Sequence, residues 1–407
     1  MKGGDMRSII WRTVSGGLVW STMLVLLSAC GGGGSSGGGG AYGSSSGPGG
    51  PGGGAVPTAF TVYGAQCTNT NQNGIVLIDP VDTQGVVLSG AVTGPATGPC
   101  PEPLLGVTIS GANYLYVANT NGDTNGNTIS IYRVNGSSVT SLGAVTAPGA
   151  IGGAQMVFAG GSLFVPMTSG AISSWAVGGD GTLTLENAAA YTVSGGQPQA
   201  MSSDATRKYL IVSEYAGLTS WNALALAIGT EGTLSLDSEQ TGILGSANFI
   251  LPDPVLSSGN YLYASGEGFF YELSLSSGGT INVTDVSSSI APTNETEPYP
   301  VWIDPTGTWL YLAEADFGTG AETLVQYRID SSGTLSAGSE APVQIASGTN
   351  GSFGGFTNSP GYYDPSSGIV ALPIFGYLST FSYGSDGNLA PLALRTGSIG
   401  VGFMAGF

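Results

Sequence analysis

The chain has 407 residues, with 70 Gly, 22 Pro, three Cys and no His, and 26 Asp plus Glu against 8 Lys plus Arg. Without an imidazole, catalytic Ser-His-Asp or Cys-His sets and His-ligated zinc or haem are excluded. The formal charge of −18 disfavours nucleic acid and anionic lipid surfaces as partners, because both bind clustered Lys and Arg. The expected partner is therefore a neutral or cationic small molecule, a glycan or another protein.

Residues 1–29 have the pattern of an export signal. Three basic residues precede a largely apolar stretch over 13–27, which is shorter than the roughly 20 residues that a bilayer span requires. The stretch ends in Leu27-Ser28-Ala29-Cys30, which resembles the lipobox of bacterial lipoproteins. The resemblance implies cleavage before Cys30 and lipidation of that residue. The alternative is an ordinary secretory signal with an incidental Cys.

The segment from Cys30 to residue 54 is predicted to be a lipidated Cys followed by a disordered tether. Residues 31–54 contain 15 Gly, five Ser and two Pro, a composition that cannot bury a core. Cleavage would leave five cations against 25 acids, a formal charge of −20. We therefore expect a bacterial envelope protein held to a membrane by its lipid anchor, periplasmic or surface-exposed, with the outer membrane favoured.

Residues 55–407 are predicted to form one all-β domain built from repeats. Short β-rich runs alternate with Gly, Asp, Asn and Ser turns, and helical periodicity is absent. One turn, a Gly followed within three residues by an apolar strand start, recurs every 45 to 54 residues. It occurs at Gly85, Gly136, Gly181, Gly232, Gly279, Gly333 and Gly387.

A second repeated signal has the same count and phase. Aromatic or aliphatic runs occupy 60–63, 114–117, 163–165, 209–212, 261–263, 309–312 and 369–371. With one further strand before most of these runs and one after them, each repeat holds four strands. The pattern predicts a seven-bladed β-propeller with four antiparallel strands per blade, whose radial closure leaves only short, protected sheet edges. The first repeat lacks its innermost strand, so the C-terminal segment 398–404 is predicted to complete the first blade.

Several segments resemble the blade motifs of lactonase-type seven-bladed propellers, a family that includes 6-phosphogluconolactonases and proteins with Tyr-Val-Thr-Asn repeats. They are Tyr114-Leu115-Tyr116-Val117-Ala118-Asn119, Ile303-Asp304-Pro305-Thr306-Gly307 and Tyr327-Arg328-Ile329-Asp330. The resemblance extends over residues 58–407 and implies a lactone hydrolase as one possible function. These are blade-building motifs, which specify a fold better than a chemistry.

In such propellers, the loops after the second strands and the links between blades share the face where ligands usually bind. The carboxylates expected on this face are Asp123, Glu214, Glu267, Glu314 and Asp316. Together they would form a ring that binds Ca²⁺ or a cationic ligand, since hard cations prefer several oxygen ligands. The favoured interpretation is ordinary solvated acidic turns. We expect no other cofactor or metal.

The number and the predicted positions of the basic residues argue against an enzyme that acts on phosphorylated lactones. The family resemblance implies His, Arg and Glu in the cleft, yet His is absent. Arg133 and Arg328 are predicted at the same outward third-strand position, and only Arg395 is predicted near the ligand face. The primary hypothesis is therefore an envelope-anchored binding or scaffold module. The alternative is a lactonase-type hydrolase of an unphosphorylated lactone.

Two cysteines remain after Cys30 is assigned to lipid. Cys67 follows the second strand of the first blade, and Cys100 lies in the connection to the next blade, so both are expected on one face. An even pair in an oxidising envelope predicts a disulfide. The alternative is two free thiols.

Overall fold

The structure, a computed structural model, describes residues 57–67, 73–88, 92–99, 101–120, 127–152, 155–194, 197–217, 220–244, 249–252, 259–266, 269–286, 296–316, 321–338, 341–346, 360–374, 377–398 and 404–406. These residues form β-strands and one short 3-10 turn, Thr230–Gly232, which confirms the all-β prediction. No helix within these ranges is long and apolar enough to cross a membrane.

The strands, in chain order, are β1 (Thr58–Cys67), β2 (Asn73–Asp82), β3 (Val92–Pro99), β4 (Pro101–Ile109), β5 (Ala112–Asn119), β6 (Thr128–Asn135), β7 (Ser138–Thr146), β8 (Val157–Ala159), β9 (Ser162–Pro166), β10 (Ala171–Val177), β11 (Leu183–Thr192), β12 (Pro198–Ser203), β13 (Tyr209–Gly217), β14 (Ser220–Ile228), β15 (Leu234–Leu244), β16 (Phe249–Pro252), β17 (Tyr261–Gly266), β18 (Phe269–Leu275), β19 (Ile281–Asp285), β20 (Thr296–Ile303), β21 (Trp309–Asp316), β22 (Ala321–Ile329), β23 (Leu335–Ala337), β24 (Val343–Ala346), β25 (Tyr362–Asp364), β26 (Ile369–Ile374), β27 (Tyr377–Tyr383), β28 (Leu389–Ser398) and β29 (Met404–Gly406).

The described strands form seven antiparallel sheets, numbered here in chain order. Sheet 1 has the order β29-β1-β2-β3, and sheets 2 to 5 contain β4–β7, β8–β11, β12–β15 and β16–β19. Sheet 6 contains β20–β24, and sheet 7 contains β25–β28. First strands of neighbouring sheets contact one another: β8 with β12, β12 with β16, β16 with β20, and β29 with both β4 and β25. This is a β-propeller arrangement with the first strand of each sheet innermost.

Two details of the predicted strands differ from the structure. Sheet 6 has five strands instead of four, because its outer edge is divided: β23 pairs with the Tyr327–Ile329 end of β22 and β24 with the Glu322–Leu324 end. The C-terminal strand pairs with β1 as predicted, but it comprises Met404–Gly406, because β28 continues to Ser398.

The sheets have two distinct ends. The Gly-turn face carries the seven recurrent glycines, all with φ between 54° and 84°, a region that L-residues with a side chain avoid. At Gly333, moreover, an added Cβ would lie 2.3 Å from the ring of Tyr261 in the preceding sheet. The second-strand face is the opposite end, where β1, β5, β9, β13, β17, β21 and β26 terminate. The chain enters the ring at Thr58, which pairs with Asp82 at the Gly-turn face.

The core consists of slabs between neighbouring sheets. Each of the seven buried clusters draws its side chains from two sheets that follow each other in the ring. One of them joins sheet 7 to sheet 1 through Ile369, Ala371 and Leu378 against Phe60 and Val62. The hydrophobic core is therefore modular, which allows a domain of this length to stay packed.

Side-chain hydrogen bonds connect each sheet to the turn of the next. Tyr116 donates to the Gly181 carbonyl at 2.9 Å and Tyr263 to the Gly333 carbonyl at 2.8 Å. The remaining contacts are Tyr63 to Gly136, Asn187 to Glu231, Ser238 to Gly279, Tyr311 to Gly387, and Thr380 to Gly85. The last of these joins sheet 7 to sheet 1, so the contacts follow the whole ring.

Many acids on the Gly-turn face serve the fold. The carboxylate of Asp304 accepts from the backbone N–H groups of Thr306, Thr308 and Trp309 and from the Tyr383 hydroxyl of the next sheet, the last at 2.7 Å. Asp204 caps the equivalent turn of sheet 4. Part of the excess negative charge is thus needed to close turns rather than to bind a partner.

Candidate functional site

The second-strand face contains three polar side chains at equivalent positions in sheets 2, 4 and 6. Each residue stands opposite a proline of the innermost strand: Asn119 opposite Pro101, Glu214 opposite Pro198, and Glu314 opposite Pro298. The register therefore confirms that Glu214 and Glu314 are equivalent. Their surroundings make them chemically different.

Glu214 is 1% exposed, and its carboxylate is fully engaged. It accepts hydrogen bonds from the Ser194 N–H at 3.1 Å, the Ser194 hydroxyl at 2.9 Å and the Asn222 amide at 3.0 Å. Ser194 follows the last strand of sheet 3, so this acid ties the link between sheets 3 and 4 to the second-strand face. The predicted ligand-binding role is not supported at Glu214, because its acceptor sites are occupied from within the chain.

Glu314 is partly buried, and no described residue donates a hydrogen bond to it. Thr323 takes the register position that Asn222 has beside Glu214. Burial raises the pKa of the Glu314 carboxyl to about 7, because the charged form loses hydration. Near neutral pH this group therefore exists in both protonation states.

Two further polar side chains belong to the junction that Glu314 faces. Leu312, two residues before Glu314, packs with Tyr263 and Phe270 of sheet 5. Ser265 pairs with Phe270; its hydroxyl is fully buried and has no hydrogen-bond partner. Tyr327 lies in the same cluster, and burial together with the charge of Glu314 raises its pKa to about 12. Strand alternation thus directs Glu314 and Ser265 into the same junction.

The other predicted acids do not add to this site in the described structure. Asp316 ends β21, two residues beyond Glu314, and its side chain lies outside the described residues. Asp123 and Glu267 also lie outside them. In the part of the chain that the structure describes, no group of three or more His, Cys, Asp and Glu side chains is placed to hold a metal ion.

The predicted cysteine sites are described only in part. Cys30 and Cys100 lie outside the described residues, as does the side chain of Cys67. The backbone places Cys67 opposite Gly74, and Pro99, which precedes Cys100, opposite Asn73. Both segments thus end beside the start of β2, on the second-strand face.

The cations with described side chains all lie near the Gly-turn face. Arg133 and Arg328 are exposed and pair with the first residues of the core second-strand motifs, Tyr114 and Trp309, which confirms their predicted equivalence. Arg207 and Lys208 are exposed in the turn before β13. Arg395 is in β28, but its side chain is not described.

Sequence reasoning missed the partners that separate the two glutamates. Ser194 and Asn222 carry no motif, and they lie 20 and eight residues from Glu214. It also missed Asn119 as a site residue: its amide group donates to Thr128 and Ser130, while its buried carbonyl oxygen has no partner. Its place at the end of the Tyr114–Asn119 motif was the available signal.

Comparison with known proteins supports the fold. No protein-family model and no curated protein matches the chain. A putative 6-phosphogluconolactonase from Bacteroides fragilis is similar in structure, with a TM-score of 0.59, 13% identity, and coverage of 86% of this chain and 98% of that one. A periplasmic gluconolactonase from Pseudomonas aeruginosa is also similar in structure, with a TM-score of 0.60 and 15% identity. The match covers 83% of this chain and 97% of that one. The chain thus shares the fold of lactonase-like propellers.

Proposed function

We propose that this chain is an envelope-anchored lipoprotein that presents a lactonase-like propeller as a binding module for an uncharged or cationic ligand. The seven sheets are taken as the seven blades of one ring, with the ligand on the second-strand face. The fold of the neighbours supports this arrangement, and a glycan or protein partner would use the same face.

The distribution of charged side chains between the two faces supports the choice of ligand. The described cationic side chains lie near the Gly-turn face, whereas the partly buried carboxyl of Glu314 lies on the second-strand face. A phosphorylated ligand at that face would meet negative charge without a described counter-ion, which is repulsive at short range. An uncharged hydroxyl-bearing ligand or a cation meets no such repulsion.

The ligand choice is tested with residues 55–407, D-glucono-1,5-lactone and its 6-phosphate, by calorimetric titration. We expect the uncharged lactone to bind at least about tenfold more tightly than the phosphate ester. Equal or tighter binding of the phosphate ester would contradict the proposal. Measurement at low and high salt is the control, because added salt weakens charge repulsion and should narrow the difference.

Lactone hydrolysis is the second candidate, and the pKa of Glu314 favours it. A carboxyl that titrates near 7 can take a proton from an attacking water at neutral pH and return a proton to the ring oxygen as the ester bond breaks. The same lactone followed in a pH-stat, corrected for spontaneous hydrolysis, separates the candidates. Turnover that is lost in Glu314→Gln would establish a hydrolase, whereas binding without turnover would leave a binding module.

The cellular address completes the proposal. Acylation of Cys30 would hold the domain at the cell envelope, and a Cys67–Cys100 disulfide would brace sheet 1. Both segments that carry these two cysteines end on one face, which supports the pairing.

We expect Cys30→Ala to move the protein from the membrane fraction to the soluble envelope fraction, because several acyl chains on one residue anchor durably. Fractionation and mass spectrometry of the N-terminal peptide measure this. Membrane association that persists in Cys30→Ala would refute the anchor.

A further inference from the structure

The two equivalent glutamates of sheets 4 and 6 provide an internal comparison. Both stand opposite a proline of the innermost strand, and both follow a buried second strand. Any chemical difference between them therefore arises from the residues around them, because their backbone positions match.

In sheet 4 the chain itself satisfies the carboxylate. Three donors from Ser194 and Asn222 reach Glu214 at 2.9 to 3.1 Å, and the side chain is almost fully buried. Buried carboxylates are retained when they accept such bonds, so Glu214 needs nothing from outside.

In sheet 6 no described residue donates a hydrogen bond to the equivalent carboxylate, and the link that corresponds to Ser194, residues 287–295, lies outside the described residues. Glu314 keeps part of its surface exposed, and Thr323 replaces the amide that Asn222 supplies in sheet 4. Across the junction, the buried Ser265 hydroxyl also lacks a partner. A buried hydroxyl without a partner is costly unless a bound group or water completes it, and the neighbouring Glu314 carboxyl is open to such a group.

We propose, building on the ligand face of the proposed function, that Glu314 is its binding carboxylate. It accepts a hydrogen bond from an uncharged hydroxyl or from an ammonium group of a sugar-like ligand at the junction of sheets 5 and 6. Ser265 borders the same junction, where a water held by its hydroxyl can extend the contact to the ligand.

The chemistry of the junction defines the ligand. The carboxylate is an acceptor, so the ligand must bring a donor, and a negatively charged group would be repelled. Burial raises the pKa of Glu314 to about 7, so both forms are present near neutral pH, and a bound ammonium group would shift this balance toward the carboxylate. A hydroxyl ligand can bind either state. The pH dependence of affinity therefore distinguishes the two donors.

The first test needs no ligand. Dicyclohexylcarbodiimide modifies protonated carboxyls in apolar surroundings, and peptide mass spectrometry reports the modified residue. At pH 6.5 we expect Glu314 to react at least about tenfold faster than Glu214, because Glu214 is 1% exposed and its carboxylate is held by hydrogen bonds from Ser194 and Asn222. Equal reactivity, or faster reaction at Glu214, would overturn the proposal.

The second test measures affinity for D-glucono-1,5-lactone and D-glucosamine in the full domain. Glu314→Ala is expected to weaken the probe that binds wild type by about tenfold or more with an unchanged melting temperature. Glu214→Ala is the matched control; it should lower the melting temperature and leave the affinity of the folded protein intact. Should Glu314→Ala fail to fold, Glu314→Gln keeps the shape and should still lose the ammonium probe.

The outcomes separate the two proposals. Unchanged affinity in a folded Glu314→Ala variant overturns the subsite and leaves the binding function standing. If wild type binds neither probe and neither protects Glu314 from the carbodiimide, the sugar-like ligand class is wrong and both proposals fail.

Discussion

Ending the chain at Ser398 is expected to destabilise the ring by at least about 3 kcal/mol, because this removes β29. Three residue pairs of the β1–β29 ladder would be lost, from Val62–Gly406 to Gly64–Met404, at roughly 1 kcal/mol for each backbone hydrogen bond. Val62 and Tyr63, which are fully buried, would also lose the strand that packs over them. Thermal unfolding followed by circular dichroism measures the change.

A point substitution tests the same contact without shortening the chain. A Cβ added at Gly406 would lie 2.2 Å from the ring of Tyr362 in sheet 7, so Gly406→Val should also lower the melting temperature. Gly149→Ala is the matched control, because a Cβ there meets nothing within 4 Å. Unchanged melting of both the truncated chain and Gly406→Val would show that β29 does not hold sheet 1.

Replacing Asp79 with Asn is expected to stabilise the protein by roughly 3 kcal/mol at pH 7. Asp79 is 1% exposed, and one of its carboxylate oxygens is buried without a partner. It pairs with Val62 and faces the apolar slab between sheets 7 and 1. The equivalent third-strand positions are apolar or aromatic: Tyr132, Trp175, Leu226, Leu273, Tyr327 and Phe381.

The pH dependence follows from the direction in which burial moves the pKa. Burial raises the pKa of Asp79 from 3.8 to about 6, so the folded state binds more protons than the unfolded state between these values. Its contribution to stability therefore declines as pH rises from about 4 to 6, and the full penalty of roughly 3 kcal/mol applies above that window.

Chemical unfolding of wild type and Asp79→Asn at pH 4 and pH 7 provides the measurement. The difference between the two proteins should be near zero at pH 4 and largest at pH 7. Asp204→Asn is the contrasting control: Asp204 is equally buried but accepts several backbone hydrogen bonds, so its loss should destabilise. An Asp79→Asn variant that is less stable at pH 7 would show that the charged form has a favourable partner.

The repeated backbone of this fold could be predicted from sequence because its demands are local. The seven turn glycines all adopt positive φ, and four of them also lie against an aromatic side chain of the preceding sheet, which leaves a visible period. These four are Gly181, Gly279, Gly333 and Gly387. The five-stranded sheet 6 was not predicted, since β23 and β24 are short and pair with different parts of β22. The sequences of these two strands do not indicate that the outer edge of sheet 6 is divided between them.

The chemistry of individual acids could not be predicted in the same way. Glu214 and Glu314 have the same place in their repeats, and only donors brought in by other segments distinguish them. Asp79 precedes Pro80, a pair that commonly marks a turn, yet it lies within β2. Burial and hydrogen bonding at these sites depend on which sheet lies opposite. The residue pattern of a single strand does not show which sheet that is.

The point where the chain enters the ring gives the propeller a direction. Thr58 starts at the Gly-turn face, and the ten residues of β1 extend about 33 Å toward the second-strand face. An anchor at Cys30 would therefore be joined to the ring at its Gly-turn face, which is the end opposite to Glu314. A site at the end away from the attachment point would be open to molecules dissolved in the surrounding compartment.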